Sequence, residues 1–119
     1  MEPSDSDLVE TTHHEGVLIV RLLTKRLDAS VAPRFKTAVT DHIASGHQYL
    51  VLDLTAVDFM DSSALGAVVS CMKAVGSRGS LAISGAHGTV MKLFKLTRLD
   101  RVLNLHDTPE GAAQAIKPS

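Results

Sequence analysis

The sequence has little sulfur and few aromatic rings. Cys71 is the only cysteine among 119 residues, which excludes an intramolecular disulfide and leaves nothing to argue for an oxidising compartment. Tryptophan is absent, and one tyrosine and three phenylalanines cannot build the stacking platform that single-stranded nucleic acid requires. Charge of one sign is missing too: 12 Lys and Arg against 13 Asp and Glu give a net −1, which points to no polyanionic partner. The longest apolar runs, such as VLIV at 17–20, fall far short of the roughly 20 residues a membrane-spanning helix needs. The opening MEPSDSDLVE is acidic and polar, where a secretory signal would place a basic start before an apolar block. No export is expected, and the expected location is cytoplasmic.

What is present is a 45% apolar chain of ordinary domain length, enough for a hydrophobic core without metal or disulfide. Residues 1–7 are small, acidic and aperiodic and are expected to be flexible, with a single domain over 8–117. Leu8–Thr12 and Gly16–Leu23 read as a β-hairpin around the turn-like HHEG. Asp28–Ser45 reads as a helix, because Phe35, Ala38, Val39, His42 and Ile43 recur at helical spacing, with Pro33 in the first turn and Gly46 as the stop. Tyr49–Leu54 suits a strand covered on both faces. A helix from Ser62 to about Ser77, a strand at 81–84, a helix at 87–97 with Val90, Leu93 and Phe94 inward, and a strand at Val102–Leu105 follow. Thr108 and Pro109 start a last helix through Ile116 as cap residue and first-position proline. This alternation predicts an α/β fold: a mixed, mostly parallel sheet of four to five strands with about four helices packed on it.

The stretch VDFMDSSALGAVV, 57–69, breaks an apolar run with two acids and two serines before a helical pattern resumes. On a helical wheel, Ala64, Leu65, Val68, Val69, Met72 and Val75 fall on one arc and are expected to cover the sheet. The opposite arc holds Ser63, Gly66, Ala67, Ser70, Lys73, Ala74 and Ser77, almost all tiny where solvent-facing helices usually carry long charged side chains. That surface is expected to dock another protein. Ser62, at the junction, is placed as the N-cap.

Two readings of this junction stand on the residues alone. In one, Asp61, Ser62 and Ser63 are a capping cluster and nothing more. In the other, Ser62 accepts a phosphate of about −1.5 to −2 charges, which the amides and positive dipole end of a helix start tolerate. A partner docked there would meet that dianion beside Asp58 and Asp61, and like charges at an interface cost several kcal/mol.

FMDSSALG resembles the FMDSSGLG signature of the anti-sigma factor antagonists, the bacterial single-domain STAS proteins. The resemblance extends to VLIVRLLTKRLDA, VLDLTAVDFMDSSALG and KLFKLTRLDRVLNL, and so spans most of the chain. It implies a partner switch: the unmodified protein binds an anti-sigma factor that is also a GHKL-type serine kinase, phosphorylation of the first serine after the motif aspartate releases it, and a PP2C-type phosphatase restores it. Here that serine is Ser62, and Asp28 matches an acidic residue of the family expected at the docking surface. Ala64 stands where the motif has glycine, and Lys25 and Arg26 where the family has a glycine and an acid, which bears on partner choice.

Other functions lack their residues. MDSSA is not the G-x-S-x-G of a nucleophile elbow, and H-E-x-x-H, paired cysteines and a phosphate-binding G-x-x-x-x-G-K-[ST] are missing, so no catalysis, metal or cofactor is expected. SGAHGTV at 84–90 reads as a turn before a helix, and His87 and His106 as loop or cap residues. Lys92, Lys95, Arg98 and Arg101 read as a solvated helix face, with neither nucleic acid nor membrane as partner. The alternative is a STAS adaptor subunit of a transporter or other membrane-associated complex that is never phosphorylated; such an adaptor has no need to keep Asp61 and Ser62 together.

Overall fold

The computed structural model describes residues 7–118; residues 1–6 of the start expected to be flexible lie outside them. Five strands form the main sheet in the order β1-β2-β4-β6-β7: Val9–His14, Val17–Leu22, Tyr49–Asp53, Ser80–Ser84 and Asn104–His106. Only β1 runs antiparallel to its neighbour, and the β2-β4, β4-β6 and β6-β7 pairs are parallel. Four helices, α1 (Ala32–Ala44), α2 (Ser62–Val75), α3 (Gly88–Leu96) and α4 (Pro109–Ile116), complete the α/β architecture.

The side-chain alternation of each strand divides the helices between two faces. Leu18, Val20, Leu22, Leu50, Leu52, Leu81 and Ile83 point to one core with Phe35, Val39, Leu65, Val68 and Phe94. Val17, Ile19, Val51 and Ala82 point to the other, covered by Ala112, Ala113 and Ile116 of α4. Each fully buried leucine or phenylalanine here contributes about 1.5–3 kcal/mol, so the sheet's two-sided burial dominates the fold.

The hairpin between β1 and β2 is tighter than its HHEG turn predicts. Strand pairing runs through His13 and His14, opposite Leu18 and Val17, and only Glu15 and Gly16 form the turn. Both take positive φ, 51° and 84°, the geometry whose twist matches the flanking strands. The last strand begins two residues later than Val102, because a 3-10 turn over Leu99–Arg101 is prolonged by the Leu103 amide donating to Leu99 O at 2.7 Å. Thr108 caps α4 as its sequence predicts, its Oγ1 accepting from the Gly111 amide at 3.0 Å. A second, two-strand parallel sheet, β3 (Arg26–Leu27) with β5 (Phe59–Met60), has no counterpart in the sequence reading. It is the element that builds the site.

Candidate functional site

Pairing of β3 with β5 joins two segments more than thirty residues apart. The Asp58 and Phe59 amides donate to Lys25 O at 2.8 and 3.2 Å, and the Asp61 amide to Leu27 O at 3.3 Å. The Arg26 guanidinium lies 4.2 Å over the Phe59 ring, closing the ribbon from outside by a cation–π contact. The chain leaving β3 therefore turns beside the start of α2.

Asp61, not Ser62, is the N-cap of α2. Its backbone is extended and its Oδ1 accepts from the Ala64 amide at 3.0 Å. The other oxygen, Oδ2, accepts from the Ala29 amide at 2.9 Å, so one carboxylate ties the β3–α1 turn to the helix start. A serine hydroxyl could accept one of these bonds; only a carboxylate has oxygens for both, in two directions. Ser62 is consequently the first residue of the helix, and it is exposed.

Asp28 lies on the turn held by Asp61. Its Oδ1 accepts from the Ser30 hydroxyl at 2.6 Å and the Ser30 amide at 3.0 Å, and its Oδ2 is 3.8 Å from Arg26 Nε. The Ser30 hydroxyl holds the Asp28 carboxyl below the usual carboxylate range, with Arg26 acting the same way and partial desolvation opposing. Asp58 is exposed at the entry to β5, and its carbonyl accepts from the Thr89 hydroxyl in the first turn of α3. On the same side, His87 Nε2 is 3.0 Å from Thr55 O, and Thr55 is in turn bound by the buried Asp53. The loop between β4 and β5 is thus fixed at both ends.

The small-residue arc of α2 is only partly a free surface. Ser63 and Gly66 are exposed, Ser70 is half-buried and Ala67 is buried, contrary to its solvent-facing place on the wheel. The cause is α1, which packs along this side of α2; Ala29, Ala32, Pro33 and Lys36 form the opposite wall of an open groove of about 460 Å³. Small side chains here let two helices approach and leave a channel between them. Val69 and Met72, assigned to the sheet-covering arc, are only half-buried, and Cys71, assigned to neither arc, is fully buried with its thiol pushed up to about 11 by burial.

Of the residues expected at a docking surface, Asp61 and Ser63 flank Ser62 in sequence, Asp28 lies on the turn bonded to Asp61, Asp58 stands at the other end of β5, and Ser63 and Gly66 line the groove. Ser70 lies two turns on, and Lys73 eleven residues from Ser62, about 16 Å along the axis. Lys73 is exposed but belongs to the far end of the helix. Arg26, marked in the sequence as a departure from the family pattern, also shapes the site, as do Ala29, Phe59 and Thr89. Nothing in the local pattern signals the last three, since each acts through a partner distant in sequence. Among the described residues, no three His, Cys, Asp or Glu side chains are grouped to hold a metal ion, and no helix is long and apolar enough to cross a membrane.

The class of domain is defined by an α/β sheet whose two-strand side ribbon presents a capped, serine-bearing helix start. The STAS domain family model matches residues 9–112, and the chain belongs to that family. It is similar to the anti-sigma F factor antagonist of Paenibacillus polymyxa, 29% identical over 106 residues that cover 87% of this chain and 90% of the relative. The crystal structure of TM1081 from Thermotoga maritima superposes with a TM-score of 0.83 at 27% identity, covering 92% of this chain and 95% of that one. An anti-sigma factor antagonist from Mycobacterium paratuberculosis gives 0.84 at 24% identity over 92% and 93%, a likeness of fold.

Proposed function

We propose that this protein is a non-catalytic, cytoplasmic partner switch of the anti-anti-sigma type. Unphosphorylated, it binds an anti-sigma factor with GHKL-type serine kinase activity through Ser62, Ser63, Asp28, Asp58, Asp61 and the groove that continues past Gly66 and Ser70. Phosphorylation of Ser62 releases it, and a PP2C-type phosphatase returns it to the binding form. Its relatives named as anti-sigma factor antagonists support the class of partner.

One observation carries the reading: Asp61 performs the capping, which leaves the Ser62 hydroxyl exposed and unneeded by the fold. A capping cluster alone would account for Asp61 and leave Ser62 without a role. The added phosphate would sit at the first turn of a 14-residue helix, where free amides and the dipole favour negative charge. The fold therefore accepts it. A docked partner would meet it beside Asp61, and a like-charge penalty of about 3 kcal/mol weakens binding more than a hundredfold.

Calorimetric titration against a GHKL-type anti-sigma factor kinase of the same organism tests the mechanism. Ser62→Asp is expected to keep the wild-type circular dichroism and melting profile and to bind at least tenfold more weakly, one carboxylate carrying less charge than a phosphate. Binding equal to wild type would remove charge repulsion as the switch.

A further inference from the structure

Three large apolar side chains are exposed among the described residues, and the two most exposed share one corner: Leu96 at 83% and Val102 at 62%. Leu96 ends α3, and Arg98, in the left-handed conformation at φ 61°, reverses the chain into the 3-10 turn that leads to Val102. Lys92, Lys95, Arg98 and Arg101 are all exposed around them. The one acid between Gly88 and Leu103, Asp100, is half-buried. Four cations and one acid give this stretch +3, so the rest of a chain of net −1 carries −4.

The fold has no use for Leu96 where it stands. Val90 and Phe94 are fully buried and Leu93 is partly so; these residues cover the sheet. Lys92 and Leu96, four residues apart, project together on another side of the helix. Lys95 gains from the negative end of the helix dipole, but an aliphatic side chain there gains nothing. Water would favour a polar residue at both apolar positions.

We propose that this corner, Lys92–Val102, docks on an anionic lipid surface, with Leu96 and Val102 entering the headgroup layer and the four cations held at its phosphates. Aliphatic side chains projecting among lysines and arginines on a convex helix end match what an interface between water and lipid accepts. An acidic protein fits these residues less well: protein interfaces favour aromatic anchors and are depleted in lysine, and this corner has no aromatic side chain exposed and two lysines. The sequence expectation of no membrane partner weighs the cations and the scarcity of aromatic residues; the two projecting aliphatics emerge only in the fold. The corner lies at the far end of α3 from Thr89, which touches Asp58, so docking here leaves the Ser62 end free.

Co-sedimentation of the full chain with sucrose-loaded vesicles tests this. With 30% phosphatidylglycerol in phosphatidylcholine at low salt, the bound fraction is expected to be at least tenfold above that with phosphatidylcholine alone, and to fall steeply as salt rises. Arg98→Glu with Arg101→Glu should abolish binding, Leu96→Ser with Val102→Ser should reduce it severalfold, and Arg34→Glu, an exposed charge reversal on α1, should keep most of it. All of these positions are exposed, and unchanged thermal melts would confirm that each variant folds. No preference for anionic vesicles overturns the proposal. So does binding that ignores Leu96 and Val102 and is matched by soluble polyglutamate, which would assign the corner to acidic proteins.

Discussion

The Asp61 carboxylate accepts from the Ala29 amide at 2.9 Å across 32 residues of sequence while its second oxygen caps α2. The helix start and the turn bearing Asp28 therefore move as one piece. A partner reading both surfaces meets them already aligned, which lowers the ordering cost of binding.

Removing that carboxylate separates its two roles. Asp61→Ala loses a cap worth about 1 kcal/mol and a second hydrogen bond of similar size, so urea denaturation should show about 2 kcal/mol of destabilisation. Asp61→Asn retains a good cap but has one acceptor oxygen for two amides, and about 1 kcal/mol should be lost. Equal losses for both variants would mean that the bond to Ala29 contributes nothing.

Gly66 distinguishes the needs of the fold from those of docking. A Cβ at this position meets nothing within 4 Å, and helical glycine costs about 0.5–1 kcal/mol relative to alanine. Gly66→Ala should raise the unfolding free energy by that amount. Gly66→Arg should leave the fold intact, fill the groove between α1 and α2, and weaken the kinase complex at least tenfold by calorimetry. Undiminished binding would place the partner's contacts elsewhere.

Acid should weaken the fold through three converging histidines. The His47 ring centroid lies 5.5 Å from that of His13 and 5.8 Å from that of His42. Desolvation, then His42, then His13 depress the His47 pKa below the ordinary value of about 6.5. The unfolded chain then binds more protons than the folded one between the two values. Stability from this source is complete above pH 6.5 and is lost as pH falls from there through the lowered value. The drop in unfolding free energy between pH 7 and 5 should be smaller in His47→Gln than in wild type; an identical drop would assign it to other groups.

Most of the fold is legible in the sequence because its signals are local. Hydrophobic period places α1 to α4, Thr108 and Pro109 fix the start of α4, and compact aliphatic runs mark β2, β4 and β6. What escapes local reading is set by distant contact. Two-residue strands such as Arg26–Leu27 and Phe59–Met60 are too short for any alternation to show. Asp61, Ser62 and Ser63 are all good caps, and the choice falls to Asp61 because Ala29 offers it a second amide. Ala67 is buried because α1 lies alongside, and no wheel drawn for one helix can include its neighbour. The residues around Ser62 are thus named by the sequence motif, while their alignment is the work of the side ribbon.

Intact-mass measurement after incubation with ATP and the GHKL-type anti-sigma factor kinase that binds the protein addresses partner switching most directly. Wild type should gain the mass of one phosphate and Ser62→Ala none, although Ser63 and Ser30 remain exposed beside it. An unmodified wild type, or the same gain in Ser62→Ala, would contradict a switch built on the Ser62 hydroxyl.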